Sequence, residues 1–447
     1  MSADDKLVGA ATEVDSAEPS MRPRSRPMAT IVARLAGTNL LVLAMAFATG
    51  PIQARALGPD GRGELAAILQ PLQVIIWLLD LGLNGFVARE RARGTDAGTL
   101  YGTVSVLSGI GSLAGVAAAI PLAHVLGQGR PTVVLFLEIG LFMAPVSVIL
   151  LTVSGAVAGE GRWGAVGALT IVSPLVILTA FTGLFAAGLL TVTTAAIANF
   201  VAGLVGSVPI FLVLAGSGRW RWQAVLARRA LRFGAQNWMA NLAILGNSRL
   251  DQLLMAGITS SRQLGLYAVA ASLSGVTSVF VNALVTVLFP RMAGGDQRLT
   301  PQVSRIAVLL VAVSCVAIAA IAPVAVPLVY GAGFSAAVPM LLILLLNPIP
   351  GTVVAVLSSA LTGSGRPGAT LKPQAVGLLI GAPLLVVLLP RFGGLGAAGI
   401  TVLSSCITAS LLLREAPKAF GGSFREYIFP TLGDLGTLRK RIQLELF

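Results

Sequence analysis

FGAQNWMANLAILGNSRLDQLLMAGI, residues 233–258, is long enough to cross a bilayer, for which ~20 apolar residues suffice. It nevertheless carries Asn237, Asn241, Asn247, Ser248, Arg249, Asp251 and Gln252, which a plain anchor would not need. With Asn237 at zero and ~100° per residue, Asn241 falls near ~40°, Ser248 near ~20°, Gln252 near ~60° and Asp251 near ~−40°, with Arg249 flanking at ~120°. Most of the polar residues therefore share one helix face. An ionisable residue at membrane depth costs ~2.5 kcal/mol or more unless it meets protein or a water-filled cavity, so this face is expected to line an interior. The plainer alternative is that Arg249 and Asp251 only lock helix packing through interhelical hydrogen bonds. A second apolar span follows and runs toward Arg291.

The rest of the chain agrees with a membrane setting. Of 447 residues 55% are hydrophobic and only 11% charged, far too apolar for a soluble globular protein. The formal charge of +13 does not call for nucleic acid, because the basic residues sit at the ends of apolar spans, as the positive-inside rule places them. Cys315 and Cys406 lie within apolar spans and suggest small core residues, neither a disulfide framework nor a zinc site. The lone His124, without neighbouring Cys or carboxylate, is no metal ligand by spacing. No cofactor is implied.

Residues 1–28 are polar and expected to be a disordered tail; the apolar run that follows is too long for a signal peptide. Twelve spans are expected, at about 29–53, 64–88, 100–125, 132–158, 164–187, 190–216, 233–258, 264–289, 303–329, 336–362, 371–390 and 394–414. Assigned to alternate sides, 24 of the 31 Lys and Arg fall on the amino-terminal side and five on the other, with Arg34 and Arg249 inside spans. Both termini should therefore face the cytoplasm. The halves echo each other: Gly63-Glu64-Leu65-Ala66-Ala67 matches Gly265-Leu266-Tyr267-Ala268-Val269 at an ungapped offset of 202, as in transporters built from parallel repeats. This predicts an N-terminal six-helix lobe over 29–216, a basic linker over 217–232, a C-terminal six-helix lobe over 233–415 and a cytoplasmic tail over 416–447. The fold class is all-α and polytopic.

Several motifs carry a family resemblance: Arg55-Ala56-Leu57-Gly58-Pro59-Asp60-Gly61-Arg62-Gly63-Glu64, Arg249-Leu250-Asp251-Gln252, Gly265-Leu266-Tyr267-Ala268-Val269-Ala270, Phe289-Pro290-Arg291, and Leu389-Pro390-Arg391-Phe392-Gly393-Gly394-Leu395-Gly396-Ala397-Ala398. In this order and spacing the chain resembles the bacterial polysaccharide-repeat flippases (O-antigen, capsule or teichoic type) of the multidrug/oligosaccharidyl-lipid/polysaccharide exporter superfamily. It is more distantly similar to the lipid II flippases, which have fourteen spans. The resemblance implies two six-helix lobes around a central cavity in the bacterial cytoplasmic (inner) membrane. It also implies alternating access and a polyprenyl-diphosphate-linked oligosaccharide as cargo, with membrane lipids and the polysaccharide polymerase machinery as partners. Sugar and diphosphate cannot cross hydrocarbon unaided, and arginine's planar fork suits phosphate oxygens.

Arg249 and Arg34 are the candidate diphosphate ligands, with Asp251, Asn237, Asn241 and Gln252 beside them on the cargo path. Asp80, Glu138 and Asp251 are expected to be buried acids, and Asp80 and Glu138 either couple transport to an ion or are structural. A neighbouring branch, the multidrug and toxin extrusion antiporters, would use such acids to couple cation export to protons or sodium. Membrane glycosyltransferases and polymerases need sizeable catalytic loops, whereas the outer connections here are a few residues long. No paired carboxylates, nucleophile elbow or phosphate loop is present, so the reading is a transporter and not an enzyme.

Overall fold

The computed structural model describes residues 28–278, 281, 299–364, 366, 368–421 and 424–427. Among these residues there are helices and no strands, as expected where each backbone polar group must be satisfied within its own segment. The chain runs through α1 (Met28–Leu79), α2 (Leu83–Ala92), α3 (Ala97–Gly127), α4 (Pro131–Gly159), α5 (Trp163–Ala186), α6 (Val192–Ala215), α7 (Ala224–Ile258), α8 (Ser261–Ser274), α9 (Leu299–Tyr330), α10 (Ala337–Leu344), α11 (Pro348–Gly363) and α12 (Gly368–Phe420). The expected tail 1–28 lies outside the described residues except for Met28, as does the Phe289-Pro290-Arg291 motif.

Eight described helices are long and apolar enough to cross a membrane. Two of them, α1 and α12, hold two spans each. In α1 the break is Gly58, at φ 64°, ψ −179°, a region open essentially to glycine alone; Pro59 then starts the next helix, where its fixed φ suits the first turn. In α12 the break is Gly393, at φ 52°. Helix α7 is set apart by the polar residues of its inner half, and the described part of α8 is short. The expected eighth span, 264–289, lies partly outside the described residues.

The internal repeat extends far beyond the few matching residues. An offset of 202 carries the end of α3, at Gly127, to within one residue of the end of α9, at Tyr330. The same offset carries Val192 of α6 onto Gly394, the residue after the α12 break, and Gly129 (φ 72°) onto Gly331 (φ 103°). Connections of matched length thus preserve the register of the two halves even where side chains have diverged.

Two boundaries differ from expectation. The second span is not one helix: it breaks at Asp80-Leu81-Gly82, where Leu81 (φ 51°) and Gly82 (φ 70°) are both left-handed. The basic segment 217–232 is also divided. Ser217 to Gln223 runs without helix along α3, with Arg221 N–H donating to Gly98 O (3.3 Å) and Gln223 N–H to Thr103 Oγ1 (3.1 Å), whereas Ala224 onward already belongs to α7. At the other end α12 continues past residue 415 to Phe420, and Tyr427 beyond it is buried with its hydroxyl on Gly421 O (2.8 Å). In the connection before α3, Asp96 caps the helix. The backbone N–H and then the hydroxyl of Thr99, both 2.8 Å from Oδ2, hold its carboxyl below the usual carboxylate range.

The lobes share a core at the Gly58 end and separate at the other. One cluster joins Leu65, Ile68, Leu137 and Phe181 to Tyr267, Leu341 and Leu389. At the opposite end two clusters stand apart, one around Leu83, Phe86, Leu100 and Leu150, the other around Val308, Leu357, Leu412 and Tyr427.

Candidate functional site

The polar stretch of α7 does not act as one face. Asn247 and Asp251, four residues apart, turn toward the second lobe. Asn247 Nδ2 donates to Gln374 O (2.8 Å) and Gln374 Oε1 (3.0 Å), and Ser404 Oγ donates to Asn247 Oδ1 (3.1 Å). Asp251 is buried; its Oδ2 accepts from the Tyr267 hydroxyl at close range and from Thr401 Oγ1 (3.4 Å), and its Oδ1 from Gln252 N–H (2.7 Å). These contacts tie α7 to α8 and α12. Ser248 is exposed, its hydroxyl on Leu245 O, and Gln252 is buried. The side chains of Asn237 and Asn241 lie outside the described residues.

Arg249 turns the other way. Its Nη1 donates to Gln70 Oε1 at 3.4 Å, across the lobe boundary, and among the described residues no carboxylate lies within ion-pair distance of it. The guanidinium of residue 249 thus sits inside a span against a neutral amide. Gln70 belongs at the same time to the wall of a cavity of about 780 Å³ in the first lobe, enclosed by α1, α2, α4, α5 and α6.

Arg34 is not brought to this place. It is exposed, with its guanidinium beside Gly164 in the first turn of α5, the posture of a snorkelling arginine. Glu138 corrects a sequence expectation: it is not a buried acid. Its carboxylate is 42% exposed and pairs with His124 Nε2 (3.3 Å), because α4 presents this position outward from the lobe.

Asp80 is buried, and its role in the fold is specific. Oδ1 accepts from Thr152 Oγ1 (2.8 Å), itself 3.1 Å from Ser108 Oγ, while Oδ2 accepts from Asn84 N–H (3.3 Å) at the start of α2. The break in the second span frees backbone groups that must find partners. Trp238 of α7 donates its indole N–H to Leu78 O (2.8 Å) at the break, while Asn84 Nδ2 ties the start of α2 to Leu151 O of α4 (2.7 Å). Among the described residues no Lys or Arg comes within ion-pair distance of Asp80.

Arg62, quoted in the first motif but given no role there, lies in the joint core beside a cavity of about 180 Å³ with Thr49, Gln53 and Tyr330. Gln53 Oε1 and Arg62 Nε are buried there without a hydrogen-bond partner among the described residues. The signal was available in Arg62-Gly63, because a residue next to a glycine of close approach is carried into the contact.

Comparison with known proteins decides the family. The model for the Polysaccharide biosynthesis protein family matches residues 32–295, more than half of the chain. The chain belongs to this family. As a polysaccharide biosynthesis family member it is 22% identical over 391 residues, 85% of its own length and 80% of the relative's, to a probable low-salt glycan biosynthesis flippase, Agl15, of Haloferax volcanii. Its fold is that of lipid II flippase MurJ in an inward closed conformation, with TM-score 0.73 at 12% identity over 92% of this chain and 93% of that one. An inward-facing multidrug resistance MATE family transporter of the MOP superfamily follows with TM-score 0.66 at 13% identity, covering 87% and 98%. This family member is thus a multi-pass helical membrane protein with a transporter fold.

Proposed function

We propose that the protein flips a polyprenyl-diphosphate-linked oligosaccharide from the inner to the outer leaflet of the cytoplasmic membrane, for assembly of a cell-surface polysaccharide. The observation that carries this reading is Arg249, a cation within a span whose polar partner is the neutral Gln70. A buried charge is tolerated when something compensates it, and a diphosphate arriving between the lobes does so bidentately. The polyprenyl tail stays in lipid. With both termini and the arginine-rich connections in the cytoplasm, the separated end of the lobes faces inward, ready to load, and the shared core at the Gly58 end seals the outside. Alternation of the two ends moves the headgroup across, where a polymerase can receive it. Flipping brings negative charge outward and gains ~2.3 kcal/mol per charge per 100 mV of inside-negative potential, so no obligate counter-ion is needed. Deleting the gene should halt one surface polysaccharide while its lipid-linked repeat unit accumulates facing the cytoplasm.

A second reading, a cation antiporter, is favoured by Asp80 and Asp251, two buried carboxylates whose hydrogen-bond donors are neutral, with Arg249 acting on Asp251 only through space. Loss of drug efflux with normal polysaccharide after deletion would decide for it.

A further inference from the structure

The wall of the first-lobe cavity carries no ionisable side chain: its polar groups are amides and hydroxyls, and it is otherwise apolar. On α1, Gln70, Gln73 and Trp77 follow at i, i+3 and i+7, so one helix stripe faces the opening. Gln73 is exposed and makes no hydrogen bond among the described residues. It stands 14 residues past Pro59 on the helix, or ~21 Å by helix rise. An unpartnered amide at that depth has a place only where water or a polar ligand reaches it. Trp77 is 53% exposed in the same stripe. Across the opening, Thr170 and Ser207 donate their hydroxyl protons to Val166 O and Gly203 O (both 2.8 Å), and Asn199 Nδ2 donates to Ala195 O (2.8 Å). Their oxygens therefore remain as acceptors. The cavity thus offers three acceptors from two helices, a free amide and an aromatic face, and its volume falls in the ~300–1,000 Å³ range of small-molecule sites.

We infer that this cavity is a glycan site: it takes the uncharged, hydroxyl-rich sugar portion of the cargo, while Arg249, hydrogen-bonded to Gln70 at its rim, takes the diphosphate. The inference rests on the flippase reading for the identity of the cargo, and on the cavity alone for the class of ligand. Sugar hydroxyls donate to the waiting oxygens, the Gln73 amide both donates and accepts, and the apolar ring face stacks on the indole. A carboxylate-bearing sugar finds no cation in the wall, so neutral hexoses and N-acetylhexosamines are preferred over uronic acids.

The test uses the purified full chain and three probes: undecaprenyl diphosphate bearing an N-acetylhexosamine disaccharide, undecaprenyl diphosphate alone, and a panel of neutral disaccharide methyl glycosides. Gln73→Ala, Thr170→Val and Asn199→Ala should each weaken the glycosylated lipid roughly tenfold, as loss of one or two hydrogen bonds does, and abolish saturable glycoside binding. Affinity for the bare diphosphate should stay within roughly twofold of the parent protein, which also reports that the variants fold. Unchanged affinity for the glycosylated lipid overturns the proposal, as does parallel loss of both lipids or a parent protein that binds no glycoside. If instead the parent protein binds glycosides through Gln73 but ignores the bare diphosphate, the glycan site stands and the lipid-diphosphate cargo falls.

Discussion

Gly63 and Gly265, equivalent residues of the two lobes, meet back to back. A Cβ on Gly63 would lie 1.7 Å from Ser261 O, and one on Gly265 would lie 2.0 Å from Pro59 O. The contact is reciprocal because Pro59 and Ser261 are themselves separated by the repeat offset, as are Asp60 and Arg262, whose charged groups pair at 3.7 Å. The pseudo-two-fold axis therefore passes between the glycines, and the seal at this end is made by backbone approaching backbone. Arg55, on Val329 O (3.0 Å) and Leu328 O (2.6 Å), and Arg130, on Ser261 Oγ (2.6 Å) and Ala256 O (3.1 Å), flank it.

Alanine at either glycine should hold this end apart. A steric cost of only ~1.4 kcal/mol shifts a two-state equilibrium tenfold. Paired cysteines at Pro59 and Gly333, whose Cβ would lie 3.3 Å from Pro59 Cγ, should cross-link readily in the parent protein and poorly with Gly63→Ala, and flipping should fall with it. Equal cross-linking in both would refute the seal.

Arg249→Lys should remove most flipping, because a point ammonium lacks the bidentate fork, while leaving membrane abundance near normal. Gln70→Glu places an acid beside the guanidinium and should mimic the loss by occupying it. Full flipping with Arg249→Ala at normal abundance would take this residue out of the cargo path.

Tyr267 and Asp251 join α8 to α7. Tyr267→Phe removes a donor from a buried carboxylate and should lower stability by ~1–3 kcal/mol, read as an earlier thermal transition in detergent. Asp251→Asn retains an acceptor for the tyrosine and should cost less than Asp251→Leu. The reverse order would contradict the hydrogen-bond assignment.

Arg62 faces the cavity in the shared core, and among the described residues its buried Nε has no hydrogen-bond partner and no carboxylate pairs with it. A buried cation without an acid is costly, so Arg62→Leu should raise the thermal transition of the sealed form and slow its opening. A lower transition would mean the guanidinium stabilises the seal.

Topology can be read with an impermeant thiol reagent. Cysteine at Ser217 or at exposed Arg228 should react only after lysis, and cysteine at exposed Arg262 in intact cells. Ala230 is fully buried and unsuited to labelling. Labelling of Ser217→Cys in intact cells would invert the orientation.

The membrane class, the all-helical fold and the repeat offset were legible in the residues, because length, hydropathy and connection length are local quantities and a bilayer imposes them on each span separately. Tertiary structure alone decided that Asn247 and Asp251 turn to α12 and α8 while Arg249 turns to Gln70, and that Glu138 pairs with His124 at the surface while Arg62 is enclosed. In helices apolar on every side the hydropathy pattern hardly marks rotation about the axis, so the facing partner depends on neighbours 70 to 180 residues away, such as Thr152 for Asp80 and Gln70 for Arg249. The break at Asp80-Leu81-Gly82 was hidden for the same reason: Trp238 donates to the Leu78 carbonyl beside it and Thr152 to the Asp80 carboxylate, both from helices that only the assembled fold brings alongside.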